Sequence, residues 1–126
     1  MTNKQILIID DEYRIREVTK ISLEMMAGWK VSTASSGSEG LAIAQSQQLD
    51  AILLDMMMPE LDGTETLARL QANSTTQQIP VLLLTAKAQT IGRNQLQEGV
   101  QAVIEKPFDP LQLANLIAEV LGWSLK

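Results

Sequence analysis

Residues 50–63 read DAILLDMMMPELDG, and this stretch decides the fold class. The four apolar residues at 51–54 run without a break into Asp55, and Pro59 and Gly63 follow as turn signals. A short apolar run bounded by turn residues is typical of a strand buried on both faces of a parallel sheet. Asp55 would then lie at the carboxyl end of that strand. The alternative is that Asp55 only caps a loop, and this stretch alone does not separate the two interpretations.

Composition limits the class of protein. At 126 residues the chain has the length of one domain that can bury most of its apolar surface. The net charge of -5 disfavours direct binding of nucleic acid, because phosphate contacts need clustered Lys and Arg. No apolar run has the length of a membrane span, and the first residues, MTNKQ, lack the pattern of a signal peptide. We therefore expect no membrane insertion and a cytoplasmic location.

The chain contains neither cysteine nor histidine. Without cysteine it can form no disulfide, no thiolate nucleophile and no structural zinc site. Without histidine it cannot build a Ser-His triad, a His-ligated metal site or a phosphohistidine from its own residues. Any chemistry here has to use carboxylates, hydroxyls and lysine.

Strand and helix patterns alternate five times along the chain. Apolar runs predict strands at 5–9, 30–34, 51–54, 81–84 and 102–104, the second with the alternation of an edge strand. Helical patterns lie between 12 and 28, after a capping box at 36–39, at about 62–72, at 89–98 and from 110 onward. The pattern at 89–98 is the weakest, with two large apolar residues. This alternation predicts a parallel sheet with helices on both faces.

Two of the predicted helices have apolar residues at helical spacing. In the first and the last, such residues would form one face of the helix. They are Ile15, Val18, Ile21 and Met25 in the first helix, and Leu113, Leu116, Ile117, Val120 and Leu121 in the last.

Polar side chains stand at the carboxyl end of nearly every predicted strand. They are Asp10 and Asp11, Asp55, Thr85, and Lys106. In open α/β sheets, ligands bind outside these strand ends. In the flavodoxin-like strand order 2-1-3-4-5 the first and third strands are neighbours, which would bring the three acids together with the threonine and the lysine beside them. Together these residues indicate a site.

Four motifs in order carry a resemblance to a known family. IIDDE at 8–12, DMMMPELDG at 55–63, TAK at 85–87 and KPF at 106–108 make the chain resemble the receiver domain of two-component response regulators. The resemblance implies one receiver domain over residues 1–126, similar to single-domain chemotaxis regulators. It also implies a flavodoxin-like, doubly wound, five-stranded parallel sheet of order 2-1-3-4-5 with five helices.

The resemblance assigns a metal site and a phosphoacceptor. Asp55 matches the residue that accepts a phosphoryl group from a sensor histidine kinase or a histidine phosphotransfer protein. Asp10 and Asp11 match the acidic pair that binds Mg²⁺, Asp11 directly and Asp10 through water. Met57 matches the position whose backbone carbonyl completes the metal site. Mg²⁺ also suits the chemistry, because attack by one anion on another needs a cation between them.

The resemblance also assigns the switch. Thr85 and Lys106 match the hydroxyl and the ammonium that hold the phosphoryl oxygens, and Pro107 matches a proline that follows through a cis peptide bond. We expect phosphorylation to draw Thr85 inward and to reorder the loop at 86–89, which leads into the weakly patterned helix at 89–98 and should shift that helix at low cost. The fourth helix, fifth strand and fifth helix would then bind an unidentified downstream protein. Where relatives commonly carry Tyr or Phe, this chain has Val103, so we expect a weaker readout or one carried by the backbone.

Simpler interpretations of the same residues stay open. The acidic run at 10–12 could be a solvated helix start, Thr85 an N-cap and Lys106 a surface lysine. The methionines at 56–58 could suggest a soft-metal site, although methionine more often fills gaps and no Cys or His accompanies them.

Three other functions compete with the signalling switch. One is a protein-binding module whose phosphorylation is vestigial, although the complete set of site residues disfavours it. Another is a haloacid-dehalogenase-like phosphohydrolase. Such enzymes have the motif D-x-D, in which the first Asp is the nucleophile and the second is the general acid, whereas this chain has Met57 at the second position. Nucleotide binding is disfavoured because neither G-x-G-x-x-G nor G-x-x-x-x-G-K-[ST] occurs. The main prediction is therefore a switch without turnover of an external metabolite, either a complete regulator or one module of a longer protein.

Overall fold

The computed structural model describes residues 4–56, 63–85 and 100–123. The strands are β1 (Gln5–Ile9), β2 (Lys30–Ala34), β3 (Ala51–Asp55), β4 (Val81–Thr85) and β5 (Val100–Glu105). The helices within the described residues are α1 (Tyr13–Ala27), α2 (Gly37–Ser46), α3 (Gly63–Ala72) and α4 (Pro110–Leu121). The helix predicted at 89–98 lies outside the described residues.

The five strands form one parallel sheet in the order β2-β1-β3-β4-β5. This is the flavodoxin-like order, so the predicted fold class is confirmed. β2 lies at one edge, as its alternating sequence predicted. β5, at the other edge, is longer than the predicted 102–104, because pairing with β4 continues through a register shift at Val81/Leu82.

Successive residues of the central strands belong to two separate cores, one on each face of the sheet. From β1, Ile6 and Ile8 pack with α1 and α4, whereas Leu7 and Ile9 pack with α2 and α3. The residues of β3 and β4 alternate in the same way. All four apolar residues of β1 are fully buried. A strand buried on both faces has to be apolar throughout, which explains the continuous runs in the sequence.

The helix ends follow the predicted signals. α1 ends at Gly28, whose φ of 73° is a left-handed conformation that glycine adopts without strain. Ser36 caps α2 by accepting a hydrogen bond from the N–H of Glu39. The Glu39 carboxylate accepts in return from Ser35, one residue before the expected partner, and these hydrogen bonds from the Ser35 backbone and side chain lower the pKa of Glu39. Asp109 caps α4.

The apolar face predicted for α1 is wrong. Val18, Ile21 and Met25 are exposed, and the residues that α1 buries are Thr19 and Leu23. The helix carries apolar residues on two sides, so their spacing predicts a helix without selecting its buried face.

The stripe predicted for α4 needs a smaller correction. Leu113 and Ile117 are buried as expected, but Leu116 is partly exposed. The small residues Ala114 and Ala118 take its place against the sheet.

We expect Gly40→Ala to destabilise the protein, because α2 lies very close to β1 at this point. A Cβ at Gly40 would contact Cδ1 and Cγ1 of the fully buried Ile9, the latter at 2.7 Å. Overpacking a core costs about 1–3 kcal/mol, and helix propensity returns about 1 kcal/mol, so the net loss should be about 1 kcal/mol. Urea unfolding measures it. Adding Ile9→Val should make the double mutant less destabilised than the sum of the single mutants, and strict additivity would contradict the proposed clash.

Candidate functional site

Parallel strand ends bring four of the predicted residues to one edge of the sheet. Asp10 directly follows β1, and Asp55 and Thr85 are the last residues of β3 and β4. Asp55 pairs with Leu84, which places Thr85 one residue further along the neighbouring strand. Lys106 follows β5, and its backbone N–H donates to the carbonyl of Thr85 at 2.7 Å. The sheet thus sets the positions of these backbones before any side chain interacts.

Three carboxylates converge at this edge. Asp10, Asp11 and Asp55 each offer an oxygen, and these atoms all lie within 4.8 Å of one another. Asp10 and Asp55 are buried, whereas Asp11 is exposed. At such distances two like charges repel by about 3–4 kcal/mol at an effective dielectric near 20. The bare cluster is therefore costly to the fold and needs positive charge nearby.

Lys106 supplies that charge. Its Nζ lies 2.9 Å from Asp10 Oδ2, 3.2 Å from Glu12 Oε1 and 3.4 Å from Asp55 Oδ2. Its side chain is 12% exposed. Burial alone lowers the pKa of Lys106, but the hydrogen bond and charge of Asp10, the charge of Asp55 and the hydrogen bond of Glu12 together outweigh it and raise that pKa. The lysine is therefore a fixed cation and not a surface lysine.

Backbone contacts hold the carboxylates in place. Asp10 Oδ1 accepts from the N–H of Glu12 at 2.9 Å, and its carbonyl accepts from Arg16 at 2.9 Å. On the other side, α3 begins against the end of β3, where a Cβ on Gly63 would contact the Met56 Cα and the Asp55 carbonyl oxygen, the latter at 2.7 Å. Only glycine allows this close approach of α3 to the strand that carries Asp55.

The acidic cluster fits a hard divalent cation. Mg²⁺ is bound through one or two carboxylates together with water and phosphate oxygens, and not through sulfur or imidazole. Asp11 leaves the cluster open to solvent, which gives such an ion and its waters a way in. The chemistry and the spacing of the donors therefore suit Mg²⁺, with Asp10, Asp11 and Asp55 as the available carboxylates.

The predicted residues have different outcomes. Asp10, Asp11, Asp55 and Lys106 come together, and Thr85 is buried at the adjacent strand end. The assigned roles of these residues stay predictions. Met57 lies outside the described residues, as does most of the loop after β3. The cis peptide bond between Lys106 and Pro107 is present as predicted.

Sequence reasoning missed one member of the site. Glu12 was considered only as part of the IIDDE motif and of a helix start, yet its carboxylate pairs with Lys106 from a position 94 residues away. The only signal for it was the third acid in the run at 10–12. The helix-start interpretation is also partly correct, because α1 begins directly after Glu12.

Comparisons with known proteins agree with the geometry. A family model described as the response regulator receiver domain matches residues 6–118. The phosphate regulon transcriptional regulatory protein PhoB of Pseudomonas aeruginosa is 38% identical over 122 residues, which cover 96% of this chain and 53% of PhoB. The chain thus spans about half the length of the curated relatives it matches.

Two solved structures are similar over almost their whole length. The chemotaxis response regulator CheY4 of Vibrio cholerae has a TM-score of 0.85 at 30% identity, over 94% of this chain and 99% of that one. The receiver domain of sensor histidine kinase PA1611 from Pseudomonas aeruginosa PAO1 has a TM-score of 0.83 at 28% identity, over 96% of this chain and 99% of that one, and holds a magnesium ion in its active site cleft. Within the described part of this chain, no helix has the length and apolarity to cross a membrane.

Proposed function

Because the chain belongs to the response regulator receiver domain family, we propose that it is a phosphorylation switch in which Asp55 is the phosphoacceptor. The observation that carries this proposal is the convergence of Asp10, Asp11 and Lys106 on the Asp55 carboxylate. As the family resemblance implies, the donor would be a phosphohistidine on a sensor kinase or a phosphotransfer protein, and since this chain has no histidine, that donor belongs to another protein.

The transfer step uses the Asp55 carboxylate as the nucleophile. One of its oxygens attacks the phosphorus of the donor, so a P–O bond forms while the P–N bond of the phosphohistidine breaks. The electron pair of the broken bond stays on the imidazole nitrogen. The product is an acyl phosphate on Asp55, and water later attacks its phosphorus, which breaks the P–O bond, releases inorganic phosphate and restores the carboxylate. The protein is thus a signalling switch and turns over no external metabolite.

Lys106 and Thr85 would hold the transferred group. The ammonium already lies 3.4 Å from Asp55, so a phosphoryl oxygen on that carboxylate comes within its reach. A fixed, largely buried cation stabilises transferring phosphoryl charge more strongly than a solvated one does. The Thr85 hydroxyl, at the end of the neighbouring strand, would donate a hydrogen bond to another phosphoryl oxygen.

We also propose that the site requires Mg²⁺. Asp10, Asp11 and Asp55 would hold it, together with the Met57 backbone carbonyl that the family resemblance assigns. When bound, the ion neutralises charge that develops on the phosphoryl oxygens. The similar PA1611 receiver domain, which binds magnesium in its active site cleft, supports this assignment.

The output surface would include β5 and α4, which is the fifth of the helices predicted from the sequence. Leu111 and Leu116 on α4 are exposed apolar residues, and a shallow cleft lined by Phe108, Gln112 and Glu119 runs along the same helix. The family resemblance adds residues 89–98 to this surface, and they lie outside the described residues. Val103 is half-buried against the core on the α2 and α3 side of the sheet, so the readout would lack an aromatic side chain that changes rotamer.

Acetyl phosphate labelling tests the proposal. With Mg²⁺ present, intact mass spectrometry should show one added phosphoryl group, and peptide mapping after reductive trapping should place it on Asp55. Adding a chelator should stop the labelling. A wild-type protein that stays unlabelled with Mg²⁺ would favour the constitutive binding module.

A further inference from the structure

We propose that Glu12 is a positioning residue that competes with the transferred phosphoryl group for the ammonium of Lys106. This inference rests on the proposed function. Lys106 has three N–H donors and, among the residues that the structure describes, three carboxylate partners, Asp10, Glu12 and Asp55, at 2.9, 3.2 and 3.4 Å. A phosphoryl oxygen on Asp55 takes over the contact that the Asp55 carboxylate makes now, and it gains more of this ammonium only if another partner releases part of its share.

Burial identifies Glu12 as the partner that is released. The side chains of Asp10 and Asp55 are 0% and 2% exposed, so neither carboxylate can exchange the ammonium for water. The Glu12 side chain is 58% exposed. Exposed ion pairs contribute little to stability, whereas breaking a buried pair costs several times more. Glu12 can therefore rotate into solvent at low cost when another anion claims Lys106.

The backbone of Glu12 has a separate task, which makes the side chain testable by itself. Its N–H donates to Asp10 Oδ1 at 2.9 Å, and its carbonyl accepts from the N–H of Arg16 in the first turn of α1. The side chain makes no capping hydrogen bond to the helix. A substitution that keeps the backbone therefore removes the contact with Lys106 and leaves the helix start intact.

Removing this contact should change two measurements in opposite directions. In Glu12→Gln, Lys106 loses its competing partner, so labelling by acetyl phosphate at saturating Mg²⁺ should become about two- to five-fold faster, the range that an exposed ion pair supplies. With no phosphodonor present, the ammonium pairs more closely with Asp10 and Asp55, which opposes cation binding there. Calorimetry should then show a Kd for Mg²⁺ weakened by a similar factor. Damage to the site would instead make labelling slower as well.

Two further variants distinguish the loss of the contact between Glu12 and Lys106 from the loss of one negative charge. Glu12→Asp keeps the negative charge but is one methylene shorter, so it should behave like Glu12→Gln. Glu24→Gln removes one negative charge from the partly exposed Lys20–Glu24 pair on α1, outside the site and the output surface, and should match the wild type in both measurements. If Glu12→Asp matches the wild type while Glu12→Gln does not, general charge repulsion explains the effect and the proposed competition is wrong.

The outcomes also separate this inference from the proposed function. A wild-type protein that is not labelled overturns both together. A labelled wild type with an unchanged rate and an unchanged Mg²⁺ affinity in Glu12→Gln overturns the role of Glu12 alone. Faster labelling with weaker Mg²⁺ binding, shared by Glu12→Asp and absent from Glu24→Gln, supports it.

Discussion

Asp55→Asn should abolish phosphorylation and at the same time stabilise the metal-free protein. The amide cannot act as the nucleophile, so acetyl phosphate should add no phosphoryl group. Asn also removes one of three converging charges. Each repulsion with Asp10 or Asp11 is about 3–4 kcal/mol and the attraction to Lys106 about 5 kcal/mol at an effective dielectric near 20. Since two repulsions outweigh one attraction, and burial of a charge is avoided, we expect a gain of about 1–2 kcal/mol.

Urea unfolding in the presence of a chelator measures this gain, and intact mass spectrometry measures the labelling. Asp50→Asn is a suitable control on the same strand segment. Asp50 accepts a hydrogen bond from the backbone of Gln5 at 2.8 Å, at the opposite end of the sheet from the site. Its substitution should leave labelling unchanged and should not stabilise the protein. Labelling that persists in Asp55→Asn would place the phosphoacceptor elsewhere.

The strands were predictable because a strand buried on both faces needs a continuous run of apolar residues, which can be seen locally in the sequence. In β1 after Gln5, and in β3, every residue before the acid at the strand end is apolar, and the structure buries all of them completely. The caps at Ser36 and Asp109 were predictable for the same reason, since a cap depends on residues within one turn. Properties that depend on a few neighbouring residues can be read from the sequence.

The buried face of α1 was not predictable in this way. Its burial depends on how the helix is rotated against the sheet and α4, and that packing buries Thr19 in place of Val18 or Ile21. Because the helix has apolar residues on both sides, hydrophobic spacing fits either rotation.

The site lies between these two cases. The polar residues at the strand ends could be recognised from the local sequence. To predict that they lie together, however, the strand order was needed, and it came from the family resemblance and not from periodicity. Lys106 and Asp10 are 96 residues apart, and their 2.9 Å contact exists only because the parallel sheet brings the carboxyl ends of β1 and β5 to the same edge, with β3 and β4 between them. The pairing of Glu12 with Lys106 depends in addition on the conformation of the Glu12 side chain, which cannot be predicted from the spacing of residues in the sequence.

Lys106→Met should destabilise the metal-free protein by about 3 kcal/mol, because it leaves buried carboxylates without their cation. Methionine keeps most of the volume of the lysine stem, so packing changes little. Lys20→Met is the matched control: Lys20 pairs with Glu24 at 2.9 Å on α1, but both side chains are about one-third exposed. An exposed pair at this spacing contributes about 0.5 kcal/mol. Urea unfolding with a chelator present compares the two variants.

Mg²⁺ should restore part of the stability that Lys106→Met loses, because a cation bound at the three aspartates replaces the missing charge. At a concentration one hundred times its Kd, a ligand stabilises the folded state by about 2.7 kcal/mol.

The pH dependence of stability gives a second check on the role of Lys106. Since the pKa of Lys106 is raised in the folded protein, its contribution is complete below the unfolded pKa and is lost as the pH rises through the folded value. The gap between wild type and Lys106→Met should therefore stay constant through neutral pH and shrink in strongly alkaline solution. If Lys106→Met is as stable as Lys20→Met without metal, the lysine does not neutralise this cluster.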